Sequence, residues 1–302
     1  MVEAVSRAHA FAPAATPVIL YGESGTGKTF FAEYIHQLSQ RSGGFHAFSV
    51  GTVAPTLALD ELFGHVPGAY TDARRVRTGR IAAAGGGTLL LDDIQNLDLG
   101  VQKQLLQVLD RRTYSAVGCD RVLTVACRII LAMTEAPDVL MKKGVLLKDL
   151  RYRFGCCAIR MPSLTERRGE IPLLAQRALE RCSADTAVEG PTSLSEAALA
   201  FLSERNFDGN VRHLRGIVEN AYLMARASGA KQIGVEHFPE ECRSDLCYTR
   251  HGNPDLNRRA VERALSLTGG NARAAAELLG ISRNTLNLMR RVRLKQRSAQ
   301  AD

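Results

Sequence analysis

Eight residues, "GESGTGKT" at positions 22–29, constrain this chain more than any other stretch. They fit the pattern GxxxxGK[ST] and stand between an apolar run, "PVILY", and a helical pattern, "FFAEYIHQL". A strand, a glycine-rich turn and a helix in that order bring backbone N–H groups together at a helix N-terminus, where anions bind. Gly22, Gly25 and Gly27 let the backbone converge on phosphate oxygens, and Glu23, Ser24 and Thr26 complete the turn. Lys28 is expected to reach the β- and γ-phosphates, and the Thr29 hydroxyl to ligate magnesium. The pattern therefore predicts a site for ATP with Mg2+.

Such a loop needs an apolar strand that ends in acid, and "TLLLDDI" supplies one: Asp92 is placed to hold the hydrated magnesium ion. Asp93 follows as the candidate catalytic carboxylate, one methylene shorter than the glutamate many such ATPases use to polarise the attacking water. "GTLLLDDI" and "VACRIILAMT" read as buried strands, separated by helical patterns such as "GVQKQLLQVLDRR". Strands this apolar predict a parallel sheet covered on both faces. After "RMPSL" the character changes, and residues 170–240 read as helices with no convincing strand. Residues 242–253 read as a linker and 254–302 as a small helical domain.

The 302 residues are 45% hydrophobic and 23% charged, which excludes a wholly disordered chain. No apolar run approaches a membrane span and no signal peptide opens the sequence, so a cytoplasmic location without membrane partners is expected. Seven cysteines form no CxxC and lack histidines at zinc-ligand spacing, as expected of reduced structural thiols. The formal net charge of +8 is unevenly placed: residues 251–302 carry ten Arg or Lys against four acids. That concentration points to a polyanion partner, since bound phosphates release counterions.

"ELFGHVPGAYTDA", residues 61–73, has too little apolar periodicity for a core element and reads as a loop. Together with "GESGTGKT", "GGGTLLLDDI", "DLRYRF" and "GNVRHLR", in this order and spacing, it resembles the AAA+ domain of bacterial enhancer-binding proteins, the activators that remodel sigma-54 RNA polymerase. The similarity runs from about Pro17 to Phe238, and the terminal unit resembles the Fis-type helix-turn-helix that usually follows. The resemblance implies an α/β AAA+ P-loop NTPase over residues 1–161, a helical lid over 162–241 and an all-α helix-turn-helix at the C-terminus. It also implies that Arg153 reaches a neighbouring subunit's nucleotide, that Arg212 touches nucleotide in cis, and that the chain assembles into a dimer or a ring of up to six.

The same resemblance implies that the loop tip, Gly68, Ala69, Tyr70, Thr71, Asp72 and Ala73, engages sigma-54. Relatives carry GAFTGA there, so Tyr70 keeps an aromatic ring while Asp72 replaces a glycine, adding charge and removing easy access to positive φ. Other positions depart as well. Met133 stands in the polar sensor position after the third strand, Leu147 where relatives have a second intersubunit arginine, and Gly51 where an asparagine restrains the catalytic glutamate.

In the terminal unit, Ala260, Val261, Ala264, Leu265 and Leu267 line one face of a first helix. Asn271 caps a second that Gly280 ends, and Ser282 caps a third. Arg283, Asn284, Thr285 and Asn287 are expected at base edges, with Arg290, Arg291 and Arg293 on phosphates. Such domains usually bind as dimers, which implies a palindromic DNA site. The expected function is a DNA-binding regulator that binds ATP and remodels sigma-54 RNA polymerase. Set against it is a hydrolysis-impaired, nucleotide-sensing regulator independent of sigma-54. The sixteen residues before Pro17 are too few for a sensory domain, so control is expected through expression, a partner or nucleotide, unless the chain is a fragment of a longer regulator.

Overall fold

The computed structural model describes residues 1–70, 73–154, 157–184, 189–239, 261, 263–279, 281 and 286. They form two units, Met1–Ser163 and Leu164–Asp302.

The first unit is built on β1 (Val18–Tyr21), β2 (Phe45–Ser49), β5 (Thr88–Asp92), β8 (Arg128–Met133) and β9 (Ala158–Arg160). Their order is β2-β5-β8-β1-β9 and all pairs are parallel, with Leu20 beside Ala132, Leu91 beside Leu131 and Ser49 beside Asp92. Successive side chains point to opposite faces. Ile19, Leu89, Leu91, Ile129, Leu131 and Met133 therefore fill one core cluster, while Val18, Leu20, Leu90, Ile130, Ala132 and Ile159 fill the other. The first face is covered by α3 (Pro55–Phe63) and α5 (Leu99–Arg111), and the second by α1 (Val2–Phe11) and α2 (Lys28–Leu38).

The three apolar strands read from the sequence occupy the centre of this sheet. The two edge strands escaped that reading for a physical reason. "FHAFS" and "AIR" each place polar or exposed residues among their members, as sheet edges do. Between 170 and 240, where no strand is expected, β10 (Ser193–Leu194) and β11 (Gln232–Ile233) make a two-residue parallel pair. No helix among the described residues is long and apolar enough to cross a membrane.

Arg128 and His36 are among the polar side chains that tie helices to this sheet. Arg128, fully buried at the start of β8, donates from Nη1 to Ala12 O (2.6 Å) and from Nη2 to Phe11 O (2.7 Å). Its guanidinium thus meets the C-terminal carbonyls of α1, where a cation is favoured, and burial draws its pKa down to about 10. On α2, His36 Nδ1 lies 2.9 Å from Thr88 Oγ1 at the start of β5.

The second unit packs α8 (Ile171–Ala184), α9 (Glu196–Glu204) and α10 (Asn210–Ala227) around Phe201, Leu202, Leu214, Val218, Tyr222 and Phe238. Ser195 caps α9 by accepting from Ala198 N, and buried Asn210, in the left-handed region at φ 51°, accepts from Leu164 N at 2.7 Å. Val261, Ala264, Ala275, Ala276 and Leu286 join the same buried cluster. As the sequence suggests, Asn271 caps the following helix, α11 (Ala272–Leu278), by accepting from Arg273 N and Ala274 N.

Burial, the largest influence on His36, lowers its pKa below 6.5 and so favours the neutral ring in the fold. As pH falls through 6.5 the unfolded chain takes up a proton that the native ring resists, so native stability should decline below that pH and not above it. Urea denaturation across pH 7.5 to 5.5 checks this, with pH values chosen to span the ordinary histidine range of about 6.5. The decline should be shallower in His36→Gln.

Candidate functional site

The turn joining β1 to α2 is shaped by close backbone approaches. Gly22 N donates to Met133 O at 3.2 Å, and a Cβ on Gly22 would stand 2.4 Å from Met161 O, so only glycine fits. Gly27, at φ 95°, begins α2 from the left-handed region. Between them Thr26, 2% exposed, donates from Oγ1 to Glu23 O at 2.8 Å. Lys28 is folded into the turn: its Nζ donates to Gly22 O (2.8 Å) and Glu23 O (3.0 Å), and the side chain is buried. A buried ammonium thus sits at the N-terminus of α2, an arrangement suited to an anion.

Thr29 Oγ1 donates to Asp92 Oδ2 at 3.3 Å, which brings the start of α2 to the end of β5. The other oxygen of Asp92 accepts from Asp93 N at 2.9 Å. A hydroxyl and a carboxylate in contact form an oxygen donor set suited to a small hard cation that keeps water and phosphate as its remaining ligands. The residues present therefore fit magnesium.

Asp93 follows in the left-handed region (φ 60°, ψ 42°), and its Oδ1 accepts from Gln95 Nε2 at 3.0 Å. Sequence reasoning missed Gln95. The signal was a second amide-bearing residue in the turn after the acidic pair, "DDIQN". At the sensor position, Met133 and Ala132 are fully buried and Thr134 is half-buried.

Arg153, on α7 (Lys148–Phe154), is exposed and forms an ion pair with Asp110 of α5 that holds its guanidinium firmly protonated. Leu147 packs against the core, and its N–H donates to the buried amide oxygen of Gln102 at 3.0 Å. Arg151 makes a two-pronged pair with Asp138, at 2.7 and 3.0 Å, which pulls that carboxyl below the usual range. Arg212 lies exposed at the start of α10, in the second unit.

The loop read at 61–73 is partly core. Leu62 and Phe63 close α3 and are buried, as is Ala73. Period-based reading underestimates them because α3 contributes only its last turn to this stretch. β3 (Gly64–His65) then pairs antiparallel with β4 (Arg77–Thr78), fixing the loop base. Within it Asp60 and His65, both buried, are hydrogen-bonded through His65 Nδ1, and Arg77 Nη1 donates to the other Asp60 oxygen at 2.9 Å. Arg77 and Arg80 both pair with Glu61.

Above this base Gly68 N donates to Ala73 O (2.8 Å) and Ala73 N to Tyr70 O (3.0 Å), which closes the tip. Tyr70, 45% exposed, stands edge-on to His65 with ring centres 5.1 Å apart. A second ribbon, β6 (Thr113–Tyr114) with β7 (Leu123–Thr124), braces the loop: Val66 N donates to Val117 O, and Val117 N to Gly64 O. Thr71 and Asp72 lie outside the described residues, as do Arg283, Asn284, Thr285, Asn287, Arg290, Arg291 and Arg293.

Asp60→Ala would leave His65 and Arg77 without their shared acceptor. The expected loss is about 1–3 kcal/mol of first-unit stability, read by urea denaturation.

Three family models match the sequence. One described as "Sigma-54 interaction domain" covers residues 1–160, one described as "AAA+ ATPase lid domain" covers 165–252, and one described as "Bacterial regulatory protein, Fis family" covers 254–291. A protein of Geobacillus stearothermophilus named limonene hydroxylase is 34% identical over 280 residues, 89% of this chain and 50% of that protein. The Nif-specific regulatory protein of Herbaspirillum seropedicae is 35% identical over 251 residues, 83% of this chain and 45% of that protein. The crystal structure of NtrX from Brucella abortus in complex with ATP superposes with a TM-score of 0.74 at 24% identity, over 95% of this chain and 66% of that one. This chain spans about half the length of the two sequence relatives, at 50% and 45%.

Proposed function

The chain belongs to the sigma-54 interaction domain family, and from that premise we propose that it is a DNA-binding transcriptional regulator whose ATP-driven movements remodel sigma-54 RNA polymerase. Its fold is that of an AAA+ P-loop domain with a parallel sheet and a helical lid, followed by a Fis-type helix-turn-helix. The observation that carries the reading is the meeting of Thr29 and Asp92 beside the buried Lys28, in the same unit as the braced loop at 64–78. A regulator also accords with relatives such as the Nif-specific regulatory protein.

In this reading the turn at 22–28 grips the triphosphate through its amides, and Lys28 exchanges its carbonyl partners for phosphate oxygens. Thr29 and Asp92 would hold magnesium, which when bound neutralises charge on the phosphates. Asp93 takes the proton of the water that attacks the γ-phosphorus, as the bond from that phosphorus to the β-phosphate oxygen breaks and ADP leaves. Arg153 stabilises the developing charge at a neighbouring copy's nucleotide once it is released from Asp110, and Arg212 contacts nucleotide within its own chain. The chain acts as a dimer or a ring of up to six. Its loop tip at Gly68–Ala73 meets sigma-54, while Arg283, Asn284, Thr285, Asn287, Arg290 and Arg291 hold a palindromic DNA site.

The family match favours this reading over the hydrolysis-impaired regulator. Transcription in vitro from a sigma-54 promoter carrying the chain's own site decides between them. Transcripts should appear with ATP and not with a non-hydrolysable analogue, and Lys28→Ala should reduce them on the order of 100-fold or more by removing phosphate stabilisation. Full activity with the analogue, or site-specific DNA binding with no ATP-dependent transcript, would sink the motor reading.

A further inference from the structure

Asp93 is enclosed by the amides of its own turn. Gln95 Nε2 donates to Asp93 Oδ1 at 3.0 Å, and Asn96 N donates to Asp93 O at 2.9 Å. A third amide of that turn, the Asn96 carboxamide, lies against Gly51. Gly51 lies in the turn after β2, and a Cβ built on it would stand 3.8 Å from Asp93 Cβ and 2.7 Å from Asn96 Nδ2. A side chain at position 51 would therefore reach toward Asp93, and here the Asn96 carboxamide takes its place.

The orientation of Gln95 is set by chemistry. An ionised carboxylate only accepts, so the NH2 end must face Asp93. The opposite end, Gln95 Oε1, is then buried and meets no donor among the described residues. Leaving a buried acceptor unmet is unfavourable, and the bond that compensates is the charge-assisted one to Asp93.

The geometry points to Gln95 as a positioning residue that fixes the rotation of the Asp93 carboxylate for ATP hydrolysis, with Asn96 closing the gap that Gly51 leaves. This inference rests on the motor reading above. An aspartate is one methylene shorter than the glutamate common at this place, so it needs a tighter aim to reach the same water. With Oδ1 held by Gln95, Oδ2 is left to accept the proton.

Phosphate release from the full chain, with DNA carrying its site, tests this in wild type, Gln95→Ala and Gln95→Met, the last retaining the bulk without the donor. Freeing the carboxylate displaces it by about 1 Å, so kcat should fall roughly 10- to 100-fold in both variants. KM for ATP and the affinity for ADP should stay within about twofold, since nothing that binds ground-state nucleotide is removed. Adding Gly51→Asn with Asn96→Gly to Gln95→Ala supplies a carboxamide from the other side of Asp93 and should recover most of the lost rate.

Variants that turn over like an active wild type overturn the assignment while leaving the motor reading intact. So does a loss shared between kcat and ADP affinity without recovery, which marks collapse of the turn. A wild-type chain that binds ATP and releases no phosphate overturns the motor reading and this assignment with it, before any variant is measured.

Discussion

The contact between the Thr29 hydroxyl and the Asp92 carboxylate, 3.3 Å across, is the meeting point on which the rest of the candidate site depends. It exists because β1 and β5 run parallel on either side of β8, so that the turn after one and the acid at the end of the other emerge at the same edge of the sheet. The strands reach that edge in register because their residues are buried alternately on two faces, and a slip of one residue would exchange the two cores. Apolar packing thus determines where two polar oxygens meet.

Three groups radiate from that edge. Lys28 is held inside its turn by carbonyls, so its charge is desolvated before any ligand arrives. Asp93 is turned into the left-handed region and met there by Gln95. Met133 ends β8 with its side chain in the core, because the strand's alternation assigns that position to the inner face. A polar sensor at 133 would have to give up that packing. The same alternation explains why Ala132, its neighbour, faces the other cluster.

The loop at 64–78 is tied down at its base, and the physical reason is the distribution of charge. Asp60 and His65 are buried, and the more exposed Arg77 reaches in so that both Asp60 oxygens have a partner. Tyr70 leaves that base half exposed while still in ring contact with His65.

Much of this was legible in the residues alone. The pattern GxxxxGK[ST] between apolar and helical runs determined the glycine turn between β1 and α2, and three runs of consecutive apolar residues determined the buried centre of a parallel sheet, because both depend on local chemistry. Asn271 as a helix cap was readable for the same reason. The tertiary structure alone decided the edge strands, whose residues are half solvent-facing, and the pairing of Arg153 with Asp110, 43 residues away. It also decided the placement of Arg77 on Asp60, 17 residues away. Those contacts depend on where chain segments far apart in sequence come to lie, and no periodicity within a segment encodes that.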